Sequence, residues 1–211
     1  METLFSLLGL YQLLAVMLPG AVAAAGAYYA ISGLPSDLST AAVLGVVVLF
    51  YIAGNVVQGV AVVWEARYWA RGGGWPSTRR MTTGDTKAYD EAFRQLIQAK
   101  LDRLAATETA ALSVPDRFGL ARAELRRQGQ DTRSESFNAT YGLSRGLVTG
   151  AALVVTVLVV CAIVGHDRDR DLIAAAVIAA SAVPVFNRFR RFGFYFADQV
   201  WRDFAALPVP G

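Results

Sequence analysis

The chain has 211 residues, of which 55% are hydrophobic and 18% are charged, and its mean hydropathy is +0.39. This composition is too apolar for an ordinary soluble domain of this length, and it predicts an all-α membrane protein. The formal net charge is only +3, and the single cysteine, Cys161, excludes an intrachain disulfide and a cysteine-rich metal site.

Two apolar stretches predict a first transmembrane hairpin over residues 1–65. The first span covers about residues 4–32 and contains Pro19, which removes one backbone hydrogen bond. Two interpretations are open: a single helix kinked at Pro19, or an interfacial helix followed by a short span. The second span covers about residues 41–65, and its helix continues until a glycine-rich turn at residues 72–76 ends it.

Residues 66–142 form a polar segment with helical patterns. In the first pattern, apolar residues recur every three or four positions after a cap at Asp85 or Thr86, so one helix face is apolar. The second pattern begins near Pro115. A third begins near Ser134 and runs without a break into the next span, which predicts one helix of about 30 residues.

A second transmembrane hairpin is predicted over residues 143–187. Its spans cover about residues 143–165 and 171–187, and the short loop between them contains the single histidine, His166. Residues 188–211 follow as an amphipathic tail with aromatic residues at helical spacing. The sequence therefore predicts four transmembrane helices with helical extensions.

The distribution of basic residues predicts the topology. Of the 20 Lys and Arg residues, 14 lie within residues 66–145 and four lie in the tail. Basic residues accumulate on the cytoplasmic side of membrane proteins, so both termini and the middle segment are expected in the cytoplasm. The abundance of Ala, Gly, Val and Arg favours a bacterial inner membrane.

The second span carries a polar stripe. Tyr51, Asn55, Gln58 and Glu65 fall within about 80° of one another on a helix. An amide exposed to hydrocarbon without a partner costs several kcal/mol, so this stripe is expected to face another helix, another copy of the chain, or water. Two uses are open: lining a pore or cavity, or forming hydrogen bonds that fix helix packing.

Glu65 and Arg145 are predicted at the cytoplasmic ends of the second and third spans. A partly desolvated carboxylate needs a cation, so the two side chains are candidates for an ion pair across the bundle. In the alternative interpretation, Arg67 or water satisfies Glu65, and Arg145 extends to the lipid headgroups.

Two further sets of residues are candidates for binding. Arginines close to the span ends are expected to contact lipid headgroups or an anionic ligand. These are Arg67, Arg71, Arg79, Arg80, Arg188, Arg190 and Arg191. The apolar face of the middle segment is a candidate docking surface for a soluble cytosolic partner. Its residues are Tyr89, Phe93, Leu96 and Leu104.

The leading functional hypothesis is a homo-oligomeric pore, channel or membrane-perturbing effector controlled from the cytoplasmic side. One alternative is a non-conducting anchor or accessory subunit that docks a soluble partner. Another is an integral-membrane enzyme or small transporter for a lipid or amphipathic solute. The sequence contains no catalytic or phosphate-binding motif, so we expect no enzyme activity, cofactor, metal site or nucleic-acid partner.

Overall fold

The computed structural model describes residues 2–32, 40–105, 112–165 and 167–208, and these residues form helices and no strand. Residues 33–39, between the first two predicted spans, and His166 lie outside these ranges. The helices are α1 Glu2–Ser32, α2 Thr40–Arg71, α3 Pro76–Met81, α4 Glu91–Ala105, α5 Val114–Arg127, α6 Thr132–Val164 and α7 Arg168–Ala206.

Three of these helices, α2, α6 and α7, are long and apolar enough to cross a membrane. The described part of α1 carries a shorter apolar stretch, Leu13–Tyr29. Helix α1 is continuous through Pro19, which corresponds to the interpretation of the first span as one helix. Helix α7 is also continuous through a proline, Pro184, and joins the predicted fourth span to the predicted tail.

The chain divides into two compact units. The first comprises Met1–Glu65 and Ala139–Arg190, and the second comprises Ala66–Asn138 and Arg191–Gly211. Helices α2, α6 and α7 each contribute to both units. Most of the polar middle segment and most of the tail, which are predicted to pack together as helical extensions of the spans, belong to the second unit.

In the first unit, glycines allow α1 to pack closely against its neighbours. A side chain at Gly20 would overlap the backbone of α2 at Phe50, and one at Gly54 would overlap the backbone of α1 at Val16. On α6, a Cβ atom at Gly150 would lie 2.9 Å from the carbonyl oxygen of Pro19. Such close approach of helix backbones is the usual role of small residues between membrane helices.

The second unit is built around an apolar core from α4, α5 and α7. Its buried members are Ile97, Leu101, Ala121, Leu125, Val200, Trp201, Phe204 and Leu207. Helix α4 begins later than the pattern predicts, at Glu91, where the side chain of Asp90 accepts a hydrogen bond from the backbone N–H of Phe93 at 2.7 Å. Asp85 does not cap α4, because its carboxylate instead accepts two hydrogen bonds from the guanidinium of Arg79.

Candidate functional site

The site begins at the proline of α1. Because Pro19 has no backbone N–H, it cannot bond to the carbonyl oxygen of Ala15, four residues earlier. The side chain of Gln58 on α2 supplies the missing donor, since its Nε2 lies 2.9 Å from the oxygen of Ala15. Gly146 on α6 leaves the necessary space, because a Cβ atom there would lie 2.6 Å from Gln58 Nε2.

The other end of the Gln58 amide binds a charged cluster. Gln58 Oε1 accepts a hydrogen bond from Arg145 Nη2 at 2.8 Å, and Arg145 Nη1 lies 2.6 Å from Glu65 Oε2. The hydroxyl of Tyr141 donates to the remaining oxygen of Glu65. We refer to Gln58, Glu65, Tyr141 and Arg145 as the polar network. The structure thus brings Glu65 and Arg145 together as an ion pair and adds Tyr141, which was not among the predicted site residues.

Most of the polar network is shielded from solvent in the first unit. The side chain of Glu65 is 3% exposed and that of Arg145 is 20% exposed. Transferring two charges out of water is costly, and the cost is offset only when the remaining polar atoms are also hydrogen-bonded. Both carboxylate oxygens of Glu65 meet this condition, whereas Arg145 Nε is buried and has no hydrogen-bond partner among the described residues. We conclude that the network fixes the packing of α1, α2 and α6.

Aromatic side chains enclose the network and connect it to α7. The ring of Tyr141 stacks on the buried ring of Phe189, with centroids 5.0 Å apart. Trp64 contacts the same ring at 5.2 Å and donates a hydrogen bond to Thr149 at 2.7 Å. All four helices of the first unit therefore contact either the network or its aromatic surround.

The predicted polar stripe of α2 divides into two parts. Gln58 and Glu65 belong to the polar network, so they do not lie on an outward, water-lined surface in the first unit. Tyr51 and Asn55 face outward and are exposed in the isolated chain. Asn55 Nδ2 donates to the backbone oxygen of Tyr51 at 2.8 Å. The set of four proposed lining residues is therefore reduced to Tyr51 and Asn55.

The predicted headgroup arginines also divide into two groups. Arg79 pairs with Asp85 at 2.8 Å, and Arg80 pairs with Asp198 at 2.6 Å. Both guanidinium groups also lie over the ring of Phe194. These contacts hold Arg79 and Arg80 against other residues of the second unit.

The other five arginines of that prediction are exposed in the isolated chain: Arg67, Arg71, Arg188, Arg190 and Arg191. Three of them, Arg71, Arg190 and Arg191, form no ion pair within the described residues. Their contact with anionic headgroups stays a prediction.

The predicted docking face of α4 is largely covered by its own unit. Tyr89, Phe93 and Leu104 pack against the apolar core, while Leu96 remains 45% exposed. The hydroxyl of Tyr89 donates to Asp198 at 2.7 Å, and burial together with this carboxylate raises the pKa of the phenol. The four residues therefore do not form one exposed surface.

Within the described residues, no group of three or more His, Cys, Asp or Glu side chains is arranged to hold a metal ion. Comparison with known proteins finds no match to a family model, to a curated protein or to a solved structure.

Proposed function

We propose that the protein is a multi-pass membrane protein with four spans that assembles into a homo-oligomer and encloses a polar path along the outward face of α2. The observation that carries this proposal is the exposure of Asn55, together with Tyr51, within the most apolar part of α2. Asn55 would line the path, and Gln58 and Glu65 would support the helix from behind.

The hydrogen-bonding capacity of Asn55 supports an assembly. An asparagine amide has two N–H donors and an oxygen acceptor. One N–H binds the backbone of Tyr51, and no described residue donates to the amide oxygen of Asn55. Lipid cannot provide that donor, whereas water or a second amide can. In contrast, the amide of Gln58 is satisfied at both ends inside the first unit.

The packing of α1 supports a fourth span. Its apolar stretch Leu13–Tyr29 contains Gly20 and Gly26, which pack closely against α2 and α6, both of which are long enough to cross a membrane. A helix at that depth must itself be surrounded by hydrocarbon or protein. With basic residues on the cytoplasmic side, both ends of the four-span chain lie in the cytoplasm of a bacterial cell, next to anionic lipids.

Ion leakage from liposomes tests the proposed path. Purified wild-type protein should release entrapped ions, and Asn55→Leu should abolish the release without loss of membrane insertion or helix content. Val60→Leu is the matched control, because Val60 is also exposed on α2 and its change adds only one methylene group. Wild-type protein that does not leak, or an Asn55→Leu variant that leaks normally, contradicts the proposal.

A non-conducting anchor for a soluble partner is the alternative proposal, and the exposed Leu96 of α4 is the observation in its favour. Leu96→Asp tests it better than a change of Phe93, because Phe93 also packs against the core of the second unit. Loss of a stoichiometric cytosolic partner in Leu96→Asp, with normal helix content, would favour the anchor. Retention of the partner would exclude Leu96 as its docking point.

A further inference from the structure

Two glycines on the exposed face of α2 have open space beside them. A Cβ atom at Gly45 or Gly59 would meet no atom of the described residues within 4 Å, whereas Gly20 and Gly54 are closed by backbone contacts between α1 and α2. Glycine destabilises a helix interior relative to alanine. Its presence at exposed positions is useful where another helix approaches closely.

Gly45 and Gly59 belong to one seven-residue repeat on the exposed face of α2, and Asn55 belongs to a second. Gly45, Ile52 and Gly59 are spaced by seven, and Val48, Asn55 and Val62 repeat the same spacing three residues later. All six are exposed in the isolated chain. We refer to these six residues as the α2 seam. A repeat of this kind is typical of helices that pack along a shared left-handed seam.

The seam lies in the middle of the exposed face rather than at its border. Exposed residues flank it on both sides, with Val47 and Tyr51 on one side and Val56 and Val60 on the other. A helix from another chain could therefore reach the seam without displacing α1 or α6.

We propose that the α2 seam packs in parallel and in register against the α2 seam of a second copy of this chain. This inference rests on the self-assembly proposed above and specifies its partner and geometry. Copies inserted in the same orientation place Asn55 at the same depth in every copy. Because an amide is both donor and acceptor, Asn55 of one copy can bond Asn55 of the next. A single polar residue in such a seam also fixes the register.

One exposed hydroxyl on α6 and one on α7 are satisfied within their own helices, unlike the amide oxygen of Asn55. On α6, the hydroxyl of Thr156 donates to the backbone oxygen of Ala152 at 2.9 Å. On α7, the hydroxyl of Ser181 donates to the backbone oxygen of Val177 at 2.8 Å. Neither hydroxyl donor therefore needs a partner from a second chain.

The seam connects self-assembly to the proposed path. In a parallel ring of several helices, residues at seam positions point toward the common axis. Asn55 would then form a polar ring, and Gly59 would leave open space one turn further along α2. In an assembly of only two copies, the two α2 helices pack directly against each other and leave no open space between them. Such a dimer would not conduct ions.

Disulfide cross-linking tests the seam in full-length protein in its membrane. In a Cys161→Ala background, single cysteines are introduced at Val48, Ile52 and Gly59. Exposed controls are placed at Val47 and Val60, which point about 100° away from the seam. Oxidation should yield dimers several-fold more efficiently at the three seam positions than at either control.

A bulky residue on the seam provides the second measurement. Gly59→Leu should retain the monomer fold, because the space around Gly59 is open within the chain, yet it should prevent self-assembly. The control Val60→Leu should assemble like the wild type.

Cross-linking and leakage together distinguish the proposed α2 seam from the proposed ion path. Seam-specific cross-links in protein that does not leak uphold the seam and overturn the path. Leakage without seam-specific cross-links upholds the path and overturns the seam. Equal cross-linking at seam and control positions, or normal assembly of Gly59→Leu, overturns the seam.

Discussion

The ion pair of Glu65 and Arg145 should dominate the stability of the first unit. Removing one member of a buried pair leaves the other charge uncompensated, which costs about 3–5 kcal/mol. The side chain of Glu65 is only 3% exposed, and that of Arg145 is 20% exposed, so water compensates little. We expect Glu65→Gln and Arg145→Met each to lower the free energy of unfolding by about this amount.

The double variant should be less unstable than the two single effects predict. Replacing both members removes the uncompensated charge, so the coupling energy should reach about 2 kcal/mol. Unfolding by sodium dodecyl sulfate in mixed micelles, followed by circular dichroism, provides the four free energies. Arg190→Met serves as the control in a parallel cycle with Glu65→Gln, because Arg190 is exposed and forms no ion pair with a described residue.

Two results would refute this reasoning. Single variants that each cost less than about 1 kcal/mol would show that the buried charges are solvated in another way. Additive effects of Glu65→Gln and Arg145→Met, matching those of the Arg190→Met cycle, would show that the two side chains do not stabilise each other.

Three further predictions concern other contacts. Gly146→Ala should destabilise by about 1–3 kcal/mol, because its Cβ would lie 2.6 Å from Gln58 Nε2, whereas Gly142→Ala, with nothing within 4 Å, should be neutral or slightly stabilising. Tyr89 has a raised pKa in the folded chain, so its contribution to stability is complete below pH 10 and is lost as the pH rises above 10. Tyr89→Phe should therefore show a smaller fall in Tm between pH 9 and pH 11. Lys100→Met should accelerate hydrogen exchange at the C-terminal end of α7, because the Lys100 ammonium donates to the carbonyl oxygens of Ala205, in the last turn, and of Leu207, just after it.

Each of these predictions has a contrary result. Equal unfolding free energies for Gly146→Ala and Gly142→Ala would show that α6 moves to accept the added methyl group. Equal falls in Tm for the wild type and Tyr89→Phe would show that another group controls the alkaline transition. Unchanged exchange in Lys100→Met would show that the carbonyls of α7 do not depend on this ammonium.

The sequence predicted the polar stripe of α2, but it did not predict which residues of the stripe are buried within the chain and which are exposed. Helical periodicity places Asn55, Gln58 and Glu65 on one face of α2. It does not indicate that α1 and α6 contact Gln58 and Glu65 and leave Asn55 exposed. One signal for Gln58 was present in the sequence. Pro19 frees the carbonyl of Ala15, and a glutamine on the neighbouring span is a suitable donor for it.

The second unit shows why charge and periodicity were less informative there. Arg79 and Arg80 were expected at headgroups because of their position, whereas Asp85 and Asp198 bind them inside the unit. Asp198 lies more than 100 residues away in the sequence, so local patterns could not reveal this pair. The apolar face of α4 was identified correctly as apolar, but periodicity does not indicate whether α7 or another protein covers it.

Native mass spectrometry of the assembly tests the central claim most directly. The wild type should have a mass of two or more times that of the 22.7 kDa chain. The mass of Asn55→Leu should shift toward that of a single chain, whereas Val60→Leu should retain the wild-type mass. A wild-type mass of one chain, or an Asn55→Leu assembly identical to the wild type, would contradict an assembly centred on Asn55 of α2.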